Sequence, residues 1–187
     1  YGKEAEIINE KDNHLIKPQS PYADIKLIEE KMLNKVSKKI KFSSFRFGTI
    51  TGISKGMRFH TAVNKFCFDA ALNKKITIYK TALNQFRPYL SLRDAFKVFK
   101  FCIDNNLYKN ETYNALSGNS SVQEIIKNIR KYKKDAKITF INSPIMNKLN
   151  FKISKKKLEA EGLFLNSNIS TDIKNSLKLF KSIKNEM

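Results

Sequence analysis

Tyr22 and Lys26 stand four residues apart in the stretch Ser20-Pro21-Tyr22-Ala23-Asp24-Ile25-Lys26. Ser20 suits an N-cap and Pro21 a first helical position, so the stretch reads as the start of a helix. Residues at i and i+4 stack on one helix face, which lets a phenol and an ammonium serve one site. The chemistry such a pair offers is acid–base work. A phenol titrates near pH ~10, and a neighbouring cation favours the phenolate. A lysine-rich helix also contains Tyr-x-x-x-Lys by chance, so the spacing alone decides nothing. Ile25, Ile28, Met32 and Val36 recur at helical spacing beside the pair. They are expected to form the buried face, with Lys26 at its edge.

The elements that must position this pair follow from the rest of the chain. Its 187 residues, 41% of them hydrophobic and 11% aromatic, suffice for one sizeable domain or two small ones sharing a core. No apolar run approaches the ~18 residues of a membrane span, so no membrane is expected. The polar, mixed-charge first residues give no expectation of a signal peptide. Cys67 and Cys102 give neither a disulfide framework nor a metal pattern. Both fall on apolar helix faces and read as small buried hydrophobes in a reducing cytoplasm.

The net charge of +19 admits two accounts. One is a nucleic-acid partner, the other a lysine-covered surface. Arginine occurs only at positions 46, 58, 87, 93 and 130. Readers of nucleic acid lean on arginine forks, whereas these lysines fall mostly on helix faces that must be wet in any case. Lys174, Lys178, Lys181 and Lys184 line one side of a closing helix, with Ile169, Ile173, Leu177 and Phe180 on the other. The solvated reading is favoured, and nucleic acid is not the expected partner.

In order, the pattern predicts helix 20–39, strand 41–47, a glycine-bearing loop 48–56 and helix 59–72. Strand 76–79 follows, then a polar loop 81–87 and extended residues 88–90. Ser91 and Asp94 resemble a capping pair for helix 92–104. Strand 112–116 precedes Ser121-Val122-Gln123-Glu124, a full capping box for a helix with Val122, Ile125, Ile126 and Ile129 inward. Strand 137–141, an irregular segment 142–150 and helices near 154–161 and 170–185 complete the chain. Strands alternating with helices predict an α/β protein with parallel pairing.

The ordered landmarks resemble a known family. They are Tyr1-Gly2, Ser20-Pro21-Tyr22-Ala23-x-x-Lys26, Phe45-Arg46-Phe47-Gly48-Thr49-x-x-Gly52 and Gly56-Met57-Arg58-Phe59. Asn64, Ile76-Thr77-Ile78-Tyr79, Arg87-Pro88-Tyr89-Leu90, Asp94 and Tyr113-Asn114 continue the series. The chain is similar to the C-terminal portion of an extended short-chain dehydrogenase/reductase, of the NAD-dependent nucleotide-sugar epimerase and dehydratase type. No G-x-x-G-x-x-G loop occurs in these residues. The resemblance puts that loop, the first strands of the Rossmann sheet and a catalytic Ser or Thr upstream of Tyr1. It implies that residues 1–55 are the C-terminal part of the NAD-binding Rossmann-like domain. Residues 56–187 are then mainly a smaller α/β substrate-binding lobe, with 92–116 returning to the first domain.

By the same resemblance, Tyr22 is the acid/base at a sugar hydroxyl, and Lys26 holds the nicotinamide ribose, so both also bind cofactor. The cofactor implied is NAD, with NADP left open. Arg87 falls where the family uses an arginine on the substrate diphosphate, a task that suits a guanidinium fork. Thr49, Arg58 and Asn64 are the other candidate substrate contacts. Thr49 stands where many members have asparagine. Ser143-Pro144-Ile145-Met146 stands where many have an arginine before Pro-Gly-Asp, so either another cation, Arg58 or Lys148, supplies the charge or the substrate is not a typical nucleotide diphosphate sugar. Arg46 belongs to a strand beside the site and is given no catalytic task. A sugar-nucleotide substrate and a homodimer are the partners implied, and the 187 residues alone are expected to be inactive. The alternatives are a basic nucleic-acid-binding protein, betrayed by steep salt dependence, or a non-catalytic scaffold on the same fold.

Overall fold

A computed structural model describes residues 5–18, 20–142 and 150–186. Tyr1-Gly2, Ser143 to Met146 and Lys148 lie outside them. Helix α1 (Pro21–Val36) opens as the sequence dictates. The Ser20 hydroxyl accepts the Ala23 amide at 3.3 Å, and Pro21 occupies the first turn. Strand β1 (Ala5–Ile8) precedes it, and β2 (Ser43–Phe47) and β3 (Thr49–Thr51) follow. Next come α2 (Ala62–Ala71), β4 (Ile76–Tyr79), β5 (Phe86–Ser91), α3 (Leu92–Asp104), β6 (Glu111–Ala115) and β7 (Gly118–Ser121). The chain continues through α4 (Val122–Tyr132), β8 (Ile138–Ile141), β9 (Phe151–Ile153), α5 (Lys156–Ala160) and α6 (Ile169–Glu186).

The sheet pairings are largely parallel, as the alternation of elements requires. β2 runs parallel to β6, with Phe45 opposite Tyr113, and β4 runs parallel to β8. β1 pairs β9 and β3 pairs β5, both in parallel, while β7 lies antiparallel to β5. Between β2 and β3 the chain passes so close to β5 that a Cβ on Gly48 would meet the Pro88 carbonyl carbon at 3.0 Å. Only glycine fits there without a backbone shift.

Two apolar clusters hold these layers. One joins α2, α4 and α6 over β4, through Val63, Phe66, Ile78, Ile129, Ile173 and Phe180. The other packs Val98 and Cys102 of α3 against Leu90, Tyr113, Leu158 and Leu165. Cys67 and Cys102 are both buried and unpaired. Burial pushes the Cys67 thiol up to about 12, with Asp172 adding to the effect, so it behaves as a hydrophobe.

Two expectations are corrected. Ile25, Ile28, Met32 and Val36 are exposed rather than buried, at 54%, 54%, 60% and 37%. α1 instead turns Ala23, Leu27, Glu30 and Leu33 toward the rest of the fold. At 100° per residue that set lies on the other side of the helix. The stripe and the inward set are both periodic, and the Glu30 contact described below selects the second. The Ser91 side chain also makes no cap bond to α3. Its hydroxyl goes to Asp172 at 3.1 Å, beside the Thr51 hydroxyl at 2.7 Å. Asp94 is fully buried and accepts from the Ser117 and Ser167 hydroxyls, the Ser167 amide and Lys97. It ties α3 to the residue just before β7 and to the approach of α6. The capping box at Ser121 and Glu124 is formed in full.

Candidate active site

α1 delivers Tyr22 and Lys26 to one side of the helix. Lys26 Nζ lies 5.6 Å from the Tyr22 ring centroid. The ammonium is held by Glu29 Oε2 at 2.7 Å, and this bond raises the Lys26 pKa above its ordinary value. The pair is open: Tyr22 is 71% exposed. One turn beyond Lys26, Glu30 accepts two bonds from Arg46 of β2, from Nε at 2.8 Å and Nη2 at 2.7 Å. Both of these side chains are only about a fifth exposed, at 19% and 20%. Tyr22, Lys26 and Glu30 therefore run at i, i+4 and i+8 along one wall of a cavity of about 640 Å³. Phe45, Pro88 and Phe151 supply apolar wall.

The structure brings Tyr22 and Lys26 together but does not bring Thr49, Arg58, Asn64 or Arg87 onto the same cavity wall. Thr49 is exposed at the start of β3, opposite Tyr89. Arg58 is exposed, and its carbonyl accepts from the Thr61 hydroxyl at 2.9 Å and the Asn64 amide at 3.1 Å. Asn64 is 3% exposed, and its Oδ1 has no partner among the described residues.

Arg87 is the most distinctive of the four. It is half-buried on β5, with its guanidinium carbon 5.6 Å from the centroid of the Phe151 ring. Nη2 donates to Gln85 Oε1 at 3.3 Å, and Nη1 is buried with no partner among the described residues. Burial lowers the Arg87 pKa, against a smaller upward pull from Tyr89. Phe151 also lines the cavity of Tyr22 and Lys26, so Arg87 stands behind that wall. A buried donor without an acceptor costs about 1–3 kcal/mol and is a ready place for an anion.

Sequence reasoning passed over Glu30 and Phe151. The signal for Glu30 was present in its i+4 spacing from Lys26, but only the fold shows that Arg46 is its partner. Phe151 had no local signal, because β9 exists only through its pairing with β1. Among the described residues there is no group of three His, Cys, Asp or Glu side chains able to hold a metal. No described helix is long and apolar enough to cross a membrane.

Residues 1–115 match the model of the NAD dependent epimerase/dehydratase family. The chain belongs to that family. Solved structures agree in fold. UDP-glucuronic acid 4-epimerase from Bacillus cereus, in complex with UDP-glucuronic acid and NAD, superposes with a TM-score of 0.80 at 20% identity, over 98% of this chain and 59% of its own. UDP-glucose 4-epimerase from Thermus thermophilus, in complex with NAD, gives 0.78 at 18%, over 97% and 60%. dTDP-glucose 4,6-dehydratase from Bacillus anthracis, in complex with NAD, gives 0.76 at 18%, over 99% and 58%. The epimerase-family chain thus spans less than two thirds of the length of these structures. Its mixed α/β architecture with parallel pairing is that of Rossmann-like epimerases and dehydratases.

Proposed function

We propose that this chain is part of an NAD-dependent nucleotide-sugar epimerase or dehydratase in which Tyr22 is the acid/base and Lys26 its cationic partner. One arrangement carries the reading: a phenol and an ammonium on one face of α1, 5.6 Å from ring centroid to Nζ, at the wall of a cavity of about 640 Å³. Both side chains are accessible, and apolar Phe45, Pro88 and Ile153 adjoin them, which suits a ribose and a flat ring. When bound, the nicotinamide supplies the hydride chemistry. Tyr22 accepts or returns the proton of a sugar hydroxyl. Lys26 donates to a ribose hydroxyl. To do so it leaves Glu29, an exposed and therefore weak ion pair.

Arg87 is assigned to the substrate's diphosphate, with its unpartnered Nη1 as the waiting donor. Thr49 and Arg58 add exposed hydrogen-bonding groups on the substrate side. Asn64 holds the backbone at Arg58 through its amide. Residues 1–55 with 92–116 are assigned to the cofactor-binding domain, and the remainder of 56–187 to the substrate lobe. A homodimer in the cytoplasm completes the proposal. It would cover exposed apolar surface such as the Ile25, Ile28 and Met32 stripe.

The test is Tyr22→Phe in the full-length enzyme, assayed by product formation from UDP- and dTDP-sugars with NAD. Turnover should fall about 10²–10⁴-fold, the usual share of general acid–base catalysis, with an unchanged thermal melt. Wild-type turnover in the variant would make Tyr22 a surface residue and overturn the assignment.

A further inference from the structure

α4 and α6 carry two lysine stripes of identical spacing. Lys127, Lys131 and Lys134 lie at i, i+4 and i+7 on or just past α4, and Lys174, Lys178 and Lys181 repeat the pattern on α6. All six are exposed. The stripes meet at Tyr132, whose ring centroid lies 5.6 Å from Lys131 Nζ and 6.0 Å from Lys174 Nζ. The Tyr132 hydroxyl bonds to Ser170 at 3.1 Å, which pins the end of α4 to the start of α6. That bond, with the two ammoniums, holds the Tyr132 phenol below its ordinary pKa despite some desolvation. None of the six lysines enters an ion pair among the described residues. The nearest carboxylates in sequence are otherwise engaged: Glu124 in the capping box, Asp135 with Lys133, and Asp172 with two hydroxyls.

We propose that this two-helix face binds double-stranded nucleic acid through its phosphodiester backbone, without reading bases, in addition to the enzymatic role. Each stripe is about 10 Å long at 1.5 Å per residue. A duplex presents a negative charge about every 1.7 Å along its axis, so three ammoniums per stripe find phosphates within reach. Lysine is a point charge and lacks the planar fork that reads base edges. A membrane surface fits less well. The apolar faces of both helices, including Ile125, Ile129, Ile173 and Leu177, are buried in the core. An interfacial helix would instead turn such a face to the bilayer.

The experiment measures binding of the protein to a labelled mixed-sequence DNA duplex by anisotropy, between about 50 and 200 mM salt. Neutralising four to six phosphates predicts a slope of log K on log salt of about −4 to −5. The triple variant Lys131→Gln, Lys174→Gln, Lys178→Gln should flatten that slope by about 2 to 3. A charge-matched control on and just past α1, Lys31→Gln, Lys35→Gln, Lys38→Gln, should leave it within about 1 of the parent. Glutamine keeps helix propensity, and thermal melts check that all three proteins fold alike. Equal loss in both variants would mean that net charge alone attracts the duplex, and would overturn the proposal. So would tighter binding to single strands, binding to phosphatidylserine vesicles but not to duplex, or the absence of salt-dependent binding.

Discussion

Replacing Arg87 by methionine should weaken diphosphate binding while leaving stability nearly unchanged. Among the described residues Arg87 Nη1 is buried without an acceptor, and burial already lowers the guanidinium pKa. An unsatisfied buried donor costs about 1–3 kcal/mol. The contacts that offset this are weak. The bond to Gln85 is long at 3.3 Å, and the guanidinium carbon lies 5.6 Å from the Phe151 ring centroid. A cation–π contact contributes about 0.5–1 kcal/mol at partly exposed sites, and a methionine sulfur over the same ring recovers about 0.3–1.5 kcal/mol. Removing the guanidinium also strands the buried Gln85 Oε1, which offsets most of that gain, so the net expectation for Arg87→Met is a stability change within about 1 kcal/mol. Binding of a nucleoside diphosphate should weaken by one lost charge-assisted bond, about 1.5–3 kcal/mol or roughly 10- to 150-fold. Urea unfolding of the chain and calorimetric titration of the full-length enzyme with UDP measure the two effects. Destabilisation beyond about 1 kcal/mol would show Arg87 to be a structural tie, and unchanged affinity would remove it from the substrate site.

Three further outcomes follow from the same geometry. A double-mutant cycle of Glu30→Gln and Arg46→Met, read by urea unfolding, should give a coupling of about 1–3 kcal/mol, since the pair is bidentate and about four-fifths buried; coupling below about 0.5 kcal/mol would make it ornamental. Burial opposes the Asp94 charge, but bonds from Ser117, Ser167 and Lys97 prevail and hold its pKa below the ordinary value. That stability is therefore full above pH ~4 and is lost as pH falls through the lower folded value. Asp94→Asn should cost at least ~1.5 kcal/mol at neutral pH and flatten the acid limb of the melting profile. Gly48→Ala should cost about 1–3 kcal/mol in an unfolding titration, because its Cβ would press on the Pro88 carbonyl carbon at 3.0 Å and backbone must move.

Elements with strong local signals were legible in the sequence. α3 ends where its apolar period ends, and the Ser121 capping box opens α4. β1, β3, β7 and β9 were not legible. Each is three or four residues long and is made a strand by its partner rather than by its own pattern. The cluster at Asp94 and Asp172 was half legible. Asp94 announced itself as a cap residue, yet its donors Ser117 and Ser167 lie 23 and 73 residues downstream. The site divides in the same way. Tyr22 and Lys26 were visible as a spacing on one helix. That Arg87 stands behind a wall formed by Phe151 depends on β9, which no local pattern announces.

The direction in which α1 faces shows why spacing alone was insufficient. Two periodic sets compete on this helix, and the more hydrophobic one, Ile25, Ile28, Met32 and Val36, was read as inward. The fold turns the other set inward because Glu30 meets Arg46 on β2. Four residues separate Glu30 from Lys26, and four more reach Tyr22. Successive i+4 steps drift by about 40°, so anchoring Glu30 fixes Lys26 and Tyr22 within about 80° of the same wall. A rotation of α1 by a single residue, about 100°, would carry Tyr22 off the cavity wall. The ion pair between Glu30 and Arg46 thus sets the angle at which α1 presents its phenol and ammonium, although neither partner need touch a substrate.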